Sequence, residues 1–120
     1  MKIANVSGRL ALLVEGGTLD VHDASGGRFA ADPSDAYDRW DDLVAWAADA
    51  AGEVRPLDPA TLGPPSPRPR QVFAIGLNYA SHAAESNMAL PTVPAVFTKY
   101  PACLVGPCDP VELSGPAVDW

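Results

Sequence analysis

Gln71-Val72-Phe73-Ala74-Ile75-Gly76-Leu77-Asn78-Tyr79-Ala80-Ser81-His82-Ala83-Ala84-Glu85 is the stretch from which the rest of the chain is read. Its first five residues form a short apolar run rich in β-formers, which predicts a buried strand. Gly76 breaks the run. A glycine at a strand-to-helix turn lets backbone approach closely, a common setting for a site. Asn78 is a candidate cap for a short helix running through Tyr79, His82 and Glu85 to about Met88. Residues three apart on a helix share a face, so His82 and Glu85 can meet. A carboxylate beside an imidazole orients the ring, selects its tautomer and stabilises the imidazolium formed on proton uptake. Those are the requirements of a general base that activates water. Spacing alone leaves a second role open, because most exposed pairs of this kind add only a few tenths of a kcal/mol to a helix.

Downstream, Pro91 and Pro94 force extended chain and Ala95-Val96-Phe97-Thr98-Lys99 reads as a second strand. A turn follows around Pro101. Leu104-Val105-Gly106-Pro107 and Pro110-Val111-Glu112-Leu113 read as further short extended pieces. Ala117-Val118-Asp119-Trp120 is apolar and reads as an element interrupted midway. Cys103 and Cys108 enclose Gly106-Pro107, which reads as a turn. With no further soft or imidazole ligands following them, ordinary free thiols are expected rather than a zinc site.

Upstream lies a segment from Arg55 to Arg70 crowded with Pro56, Pro59, Pro64, Pro65, Pro67 and Pro69. Proline removes backbone donors and favours extended chain, so this is a linker or a wrapping segment. Arg68 and Arg70 read as solvated charges within it. Before it, the spacing predicts a helix from about Pro33 to Ala51, with Asp32 as cap and Pro33 at the first helical position. Tyr37, Trp40, Leu43, Val44, Ala47 and Ala51 form its apolar stripe, with Tyr37 and Trp40 read as core. Asp38, Asp41, Asp42 and Asp49 form its solvated face, and Gly52 its stop. The first thirty residues read as strands. Lys2 to Ser7 alternates loosely, and Arg9 to Val14 ends at the Gly16-Gly17 turn. Thr18 to Asp23 alternates as a half-buried strand with His22 on its solvated face. The expected organisation is a β/α domain over residues 1–54, a proline-rich linker over 55–70 and a second domain from 71 to 120. The fold class is mainly β with short helices, an α+β architecture.

The net charge of −7 argues against a sequence-independent grip on DNA or RNA, which needs clustered Lys and Arg. No apolar run approaches the ~20 residues that a bilayer requires, and the N-terminus lacks the pattern of a signal peptide. A soluble, cytoplasmic protein without nucleic-acid or membrane partners is expected.

Taken in order, Val72 to Tyr79, His82, Glu85, Pro94 to Lys99 and Leu104 to Pro107 resemble the start of the catalytic domain in fumarylacetoacetate hydrolase-family proteins. That family includes acylpyruvate and fumarylpyruvate hydrolases, oxaloacetate decarboxylases and the isomerase/decarboxylases of homoprotocatechuate breakdown (2-hydroxyhepta-2,4-diene-1,7-dioate isomerase-like proteins). The resemblance covers about Arg70 to Trp120. Residues 1–70 resemble the variable N-terminal domain that many members carry.

The resemblance implies a mixed β-sheet roll, usually in a homodimer. It implies a divalent cation, Mg²⁺ or Mn²⁺, held by three carboxylates that chelates a small dicarboxylic or 2-oxo acid substrate. It makes His82 the base toward water and Glu85 its orienting partner, on a short helix that closes over the site. Asn78, Tyr79 and Lys99 become candidate substrate-binding residues, with Lys99 equally readable as a surface lysine at a strand end. The family's metal-binding Glu-x-Glu would follow the position of Asp119-Trp120, so no metal ligand is assigned within this chain. Asp109 and Glu112 are read as turn and strand-surface residues. The implied activity is hydrolysis, isomerisation or decarboxylation of a β-diketo or 2-oxo acid. The alternatives are a non-catalytic fragment, or a small binding module that works through exposed strand edges.

Overall fold

Alternating apolar residues in the first twenty positions build three antiparallel strands, β1 (Ile3–Val6), β2 (Arg9–Val14) and β3 (Gly17–Asp20), in the computed structural model. The structure describes residues 1–112. The calls on Leu113 and on Ala117 to Trp120 lie outside them. Val6 pairs with Arg9, which leaves a two-residue loop of Ser7 and Gly8 with φ of 50° and 80°. Two successive positive φ values make the turn whose twist matches that of a hairpin. Ser7 supplies one of them where glycine or asparagine is the usual choice.

The proline-rich segment wraps this sheet. It contributes β4 (Val54–Arg55) against β3 and β5 (Leu62–Gly63) against β1, giving the order β4-β3-β2-β1-β5. Asn5 Nδ2 donates to the Pro64 carbonyl at 3.0 Å. Residues 105–112 belong to the same compact unit as Met1–Pro67, and Arg68–Leu104 form the second. A side chain at Gly106 would collide with the Leu62 carbonyl, so glycine there permits close backbone approach to β5.

One face of the sheet carries the core. Leu10, Leu12 and Leu19 pack with Val21, Phe29, Ala36 and Leu43, flanked by half-buried Trp46, Ala47 and Ala50. The other face carries an ion network. Arg9 reaches diagonally across to Asp20, donating to its two carboxylate oxygens at 2.6 and 2.9 Å. Asp20 also accepts from the Asp23 amide at 3.0 Å and so caps α1 (Val21–Ala24). The strand expected to run to Asp23 therefore ends at Asp20. The capped turn sends Val21 into the core, with no exposure left. His22 consequently leaves the solvated strand face assigned to it. It is half-buried on α1, with Nδ1 2.9 Å from the Phe29 carbonyl.

The helix expected over 33–51 is two pieces. Pro33–Arg39 is a 3-10 helix, capped by Asp32 through the Ser34 amide at 2.9 Å, and α2 spans Trp40–Ala47. Three residues per turn in the first piece shifts the phase of the stripe and makes side chains three apart eclipse. Tyr37 and Trp40 accordingly stack, at 6.1 Å and 8° between planes, on the outside rather than in the core. Val44 is exposed with them, and the residues that face inward are Ala36 and Leu43. Asp38, Asp41, Asp42 and Asp49 are solvated as expected. Gly52 is not the helix stop. A side chain there would press on Leu19 and Ala24.

In the second unit, β6 (Val72–Gly76) pairs antiparallel with β7 (Ala95–Lys99), with Ile75 opposite Val96 and Ala74 opposite Phe97. Between them lies α3 (Ala80–Glu85). The expectation of a buried β6 fails. Phe73 and Ile75 are exposed, as are Val96 and Phe97, while Val72 and Ala74 are half-buried, and among the described residues the ribbon has only two strands. Residues 104–107 and 110–112 pair in no strand. The Gly106-Pro107 turn forms as expected, with the Gly106 amide donating to Asp109 Oδ2 at 2.7 Å. Cys103 and Cys108 are free and exposed. Among the described residues no helix is long and apolar enough to cross a membrane.

Leu43 joins helix to sheet with no exposed surface. Leu43→Ala should lower unfolding stability by ~2–5 kcal/mol in urea titration. The Arg9 pair holds the Asp20 carboxyl below its ordinary range. The folded state therefore binds fewer protons than the unfolded chain just below that range. The stability Asp20 contributes is complete above pH ~4 and is lost as pH falls through the lowered folded value. Asp20→Asn should remove that part of the acid-induced fall in urea midpoint, whereas an unchanged acid limb would exclude the pair as its source.

Candidate functional site

The sequence between β6 and β7 sets the geometry of the second unit. After Gly76 the chain must turn out of the ribbon, and it does so at Leu77, whose φ is 51°. The left-handed region costs a non-glycine residue roughly 1–2 kcal/mol. Gly76 could adopt it without that cost, yet the only non-glycine residues with positive φ among the described residues are Ser7, Leu77 and Asn87. The left-handed turn out of β6 is thus made at Leu77 and not at the glycine beside it. A methyl group at Gly76 would meet the Phe97 ring at an ordinary 3.4 Å.

Asn78 is not the cap. The N-cap position of α3 is Tyr79, in extended conformation and without a side-chain cap bond. Asn78 instead lines a shallow groove of about 280 Å³ with Ile75, Gly76, Leu77 and the Pro91-Thr92-Val93-Pro94 segment. Tyr79 is largely exposed. The helix ends at Glu85, short of Met88. Its end is a Schellman motif, in which the Met88 amide donates to Ala83 O at 2.9 Å and the Asn87 amide to Ala84 O at 3.1 Å. Asn87 takes the left-handed position with φ of 50°. Asparagine is the residue after glycine that tolerates it best, which was the available sequence signal for this end.

Within α3, Ala83 is buried while His82 and Glu85 face outward with side chains 58% and 76% exposed. Three-residue spacing brings them together as expected, with His82 Nδ1 3.9 Å from Glu85 Oε2. That distance exceeds hydrogen-bond range. The carboxylate lies on the Nδ1 side of the ring. Lys99 lies at the end of β7, exposed, with Nζ 5.7 Å from the centre of the Phe97 ring. Two residues apart on one strand, Phe97 and Lys99 share a face of the ribbon.

No group of three His, Cys, Asp or Glu able to hold a metal ion occurs among the described residues. Asp109 is committed to its own turn through the Gly106 amide.

No protein-family model matches the chain. It is 40% identical to a protein described as a putative hydrolase from Burkholderia cenocepacia, over 72% of this chain and 38% of that protein. A protein of the same description from Burkholderia multivorans matches to the same extent. Among solved structures, the crystal structure of a putative HpcE protein from Mycobacterium smegmatis superposes with a TM-score of 0.86 at 43% identity, covering 94% of this chain and 40% of that one. The chain thus spans about 40% of the length of the relatives it matches.

As an exposed pair, His82 and Glu85 contribute little to folding. Glu85→Gln should change the stability of the chain by less than ~0.5 kcal/mol in thermal melts. A larger loss would make Glu85 a structural residue.

Proposed function

From the membership of this chain in the N-terminal portion of the fumarylacetoacetate hydrolase family, the family of its HpcE neighbour, we propose that it supplies the base and its orienting carboxylate to a divalent-metal-dependent enzyme. The substrate class is a small β-diketo or 2-oxo dicarboxylic acid, and the reaction is hydrolytic C–C cleavage, isomerisation or decarboxylation. The observation that carries the proposal is the placement of Glu85 on the Nδ1 side of His82.

That placement favours the tautomer with its proton on Nδ1, which leaves Nε2 free to accept. In the hydrolytic case, Nε2 takes a proton from water and the hydroxide adds to a substrate carbonyl carbon. The C–C bond then breaks, its electron pair passes to the departing enolate, and the imidazolium returns a proton to the enolate carbon from which the bond was broken. Glu85 stabilises the imidazolium in between. At 3.9 Å and in contact with solvent, the pair is weak. Closure of α3 over a substrate would exclude water, bring the two groups into hydrogen-bond range and strengthen the interaction. Asn78, which lines the groove, and Tyr79 next to it are proposed to contact substrate during that closure, and Lys99 to pair with its carboxylate.

A bound Mg²⁺ or Mn²⁺ would stabilise the enolate. The described residues do not fit it, because they offer no three-ligand cluster, so its carboxylates are assigned outside them. A homodimer in the cytoplasm is part of the same proposal.

A second reading rests on the ribbon. Phe73, Ile75, Val96 and Phe97 are exposed along two strands with unpaired edges, which suits a module completed by further polypeptide. Phe73→Lys with Phe97→Lys should shift the purified 120-residue chain to a smaller apparent size in gel filtration. No shift would remove this reading.

The catalytic reading is tested by Mg²⁺-dependent loss of acylpyruvate absorbance in the protein that carries this chain with its metal-binding carboxylates. His82→Ala should lower kcat by ~10²-fold or more. Wild-type turnover in that variant would take His82 out of the mechanism.

A further inference from the structure

We infer that Leu77 is a positioning residue, whose left-handed backbone conformation sets the course of the chain from β6 through Asn78 into the His82–Glu85 helix. The inference rests on the catalytic reading of that helix for its function but not for its geometry. Six residues of helix are too few to hold a direction by themselves. At its far end α3 is held by the Schellman motif around Asn87. At its near end no side chain caps it. Besides the burial of Ala83 in mid-helix, what directs it there is the backbone of the three residues linking Gly76 to Ala80, and of these Leu77 alone has a positive φ.

The placement of the strain supports a function for it. An L-residue with a bulky side chain persists in that region only where its surroundings over-determine it. Glycine stands next to it in the sequence, so the turn could have been made without strain one residue earlier. The strain falls instead on the residue that lines the groove with Asn78 and is itself half-buried. Glycine there, free to take many other backbone conformations, would leave the exit direction of α3 less fixed. The two left-handed residues, Leu77 and Asn87, thus bracket the segment that bears the pair.

The test compares Leu77→Gly, which frees the backbone, with Leu77→Asn, which keeps the left-handed preference. The readout is amide hydrogen exchange at Ala83, Ser86, Asn87 and Met88, the amides bonded within and just after α3. The Leu10 and Leu13 amides, bonded in the other unit, report that the chain remains folded. Leu77→Gly should speed exchange at the four α3 amides about tenfold, and Leu77→Asn should leave them within about twofold of wild type. In turnover of acylpyruvate, Leu77→Gly should lower kcat about tenfold with KM nearly constant, and Leu77→Asn should restore it. Unchanged exchange in Leu77→Gly would overturn the inference. So would equal loosening in Leu77→Asn, which would assign the effect to the leucine side chain alone. Loosening of α3 in a protein whose turnover ignores His82→Ala would leave the positioning role standing and sink the catalytic reading instead.

Discussion

A sheet that is apolar on one face must find cover for that face, and in the N-terminal unit the cover has to come from a single stretch of about twenty residues. Leu10, Leu12 and Leu19 present the surface, and Phe29, Ala36 and Leu43 close it. The shape of the covering segment follows from that demand. A 3-10 helix rises ~2.0 Å per residue against ~1.5 Å for an α-helix, so Pro33–Arg39 reaches further across the sheet than seven α-helical residues would. The α-helix that follows then drops Leu43 into the core. The cost is the orientation of Tyr37, Trp40 and Val44, which the change of helical period turns outward. Tyr37 keeps a polar anchor there, donating from its hydroxyl to the Pro65 carbonyl at 3.2 Å.

Period-two patterns were legible where backbone pairing decides the outcome. Arg9–Val14 and Ala95–Lys99 begin and end where the residues imply, and the α+β class follows from them. Patterns that depend on tertiary cover were not legible. Val21 and His22 continue an alternating run, but Asp20 turns the chain by capping it, a choice tied to Arg9 eleven residues earlier. The apolar run of β6 reads as buried because burial is the usual fate of such residues, yet exposure depends on what other layers are present. The proline-rich segment shows the same limit. Its composition predicts extended chain, and only the pairings of Val54 and Leu62 reveal that extended chain can also be sheet.

At the candidate site, the spacing of His82 and Glu85 was sufficient to predict their proximity, because helical geometry is local. Asn78 has the chemistry of a cap, but a capping residue needs a helix that starts immediately after it. Here the helix starts two residues later. Leu77 carried no signal at all. Leucine avoids the left-handed region, so sequence preference argues against the conformation that the structure adopts. Local rules failing at one residue beside a groove and the proposed base is the pattern expected where function rather than stability selects a conformation.

The place of β5 in the sheet has a consequence for the order of events during synthesis. β1 is made before the other strands of its sheet, yet its outer edge is covered only when Leu62 and Gly63 pair with Val6 and Asn5. β1, β2 and β3 can form on the growing chain by local hairpins. Through the next forty or so residues, at ~5–20 residues per second, Ile3–Val6 remains an open template at the ribosome surface. The earliest-made strand of this sheet is therefore among the last to be protected.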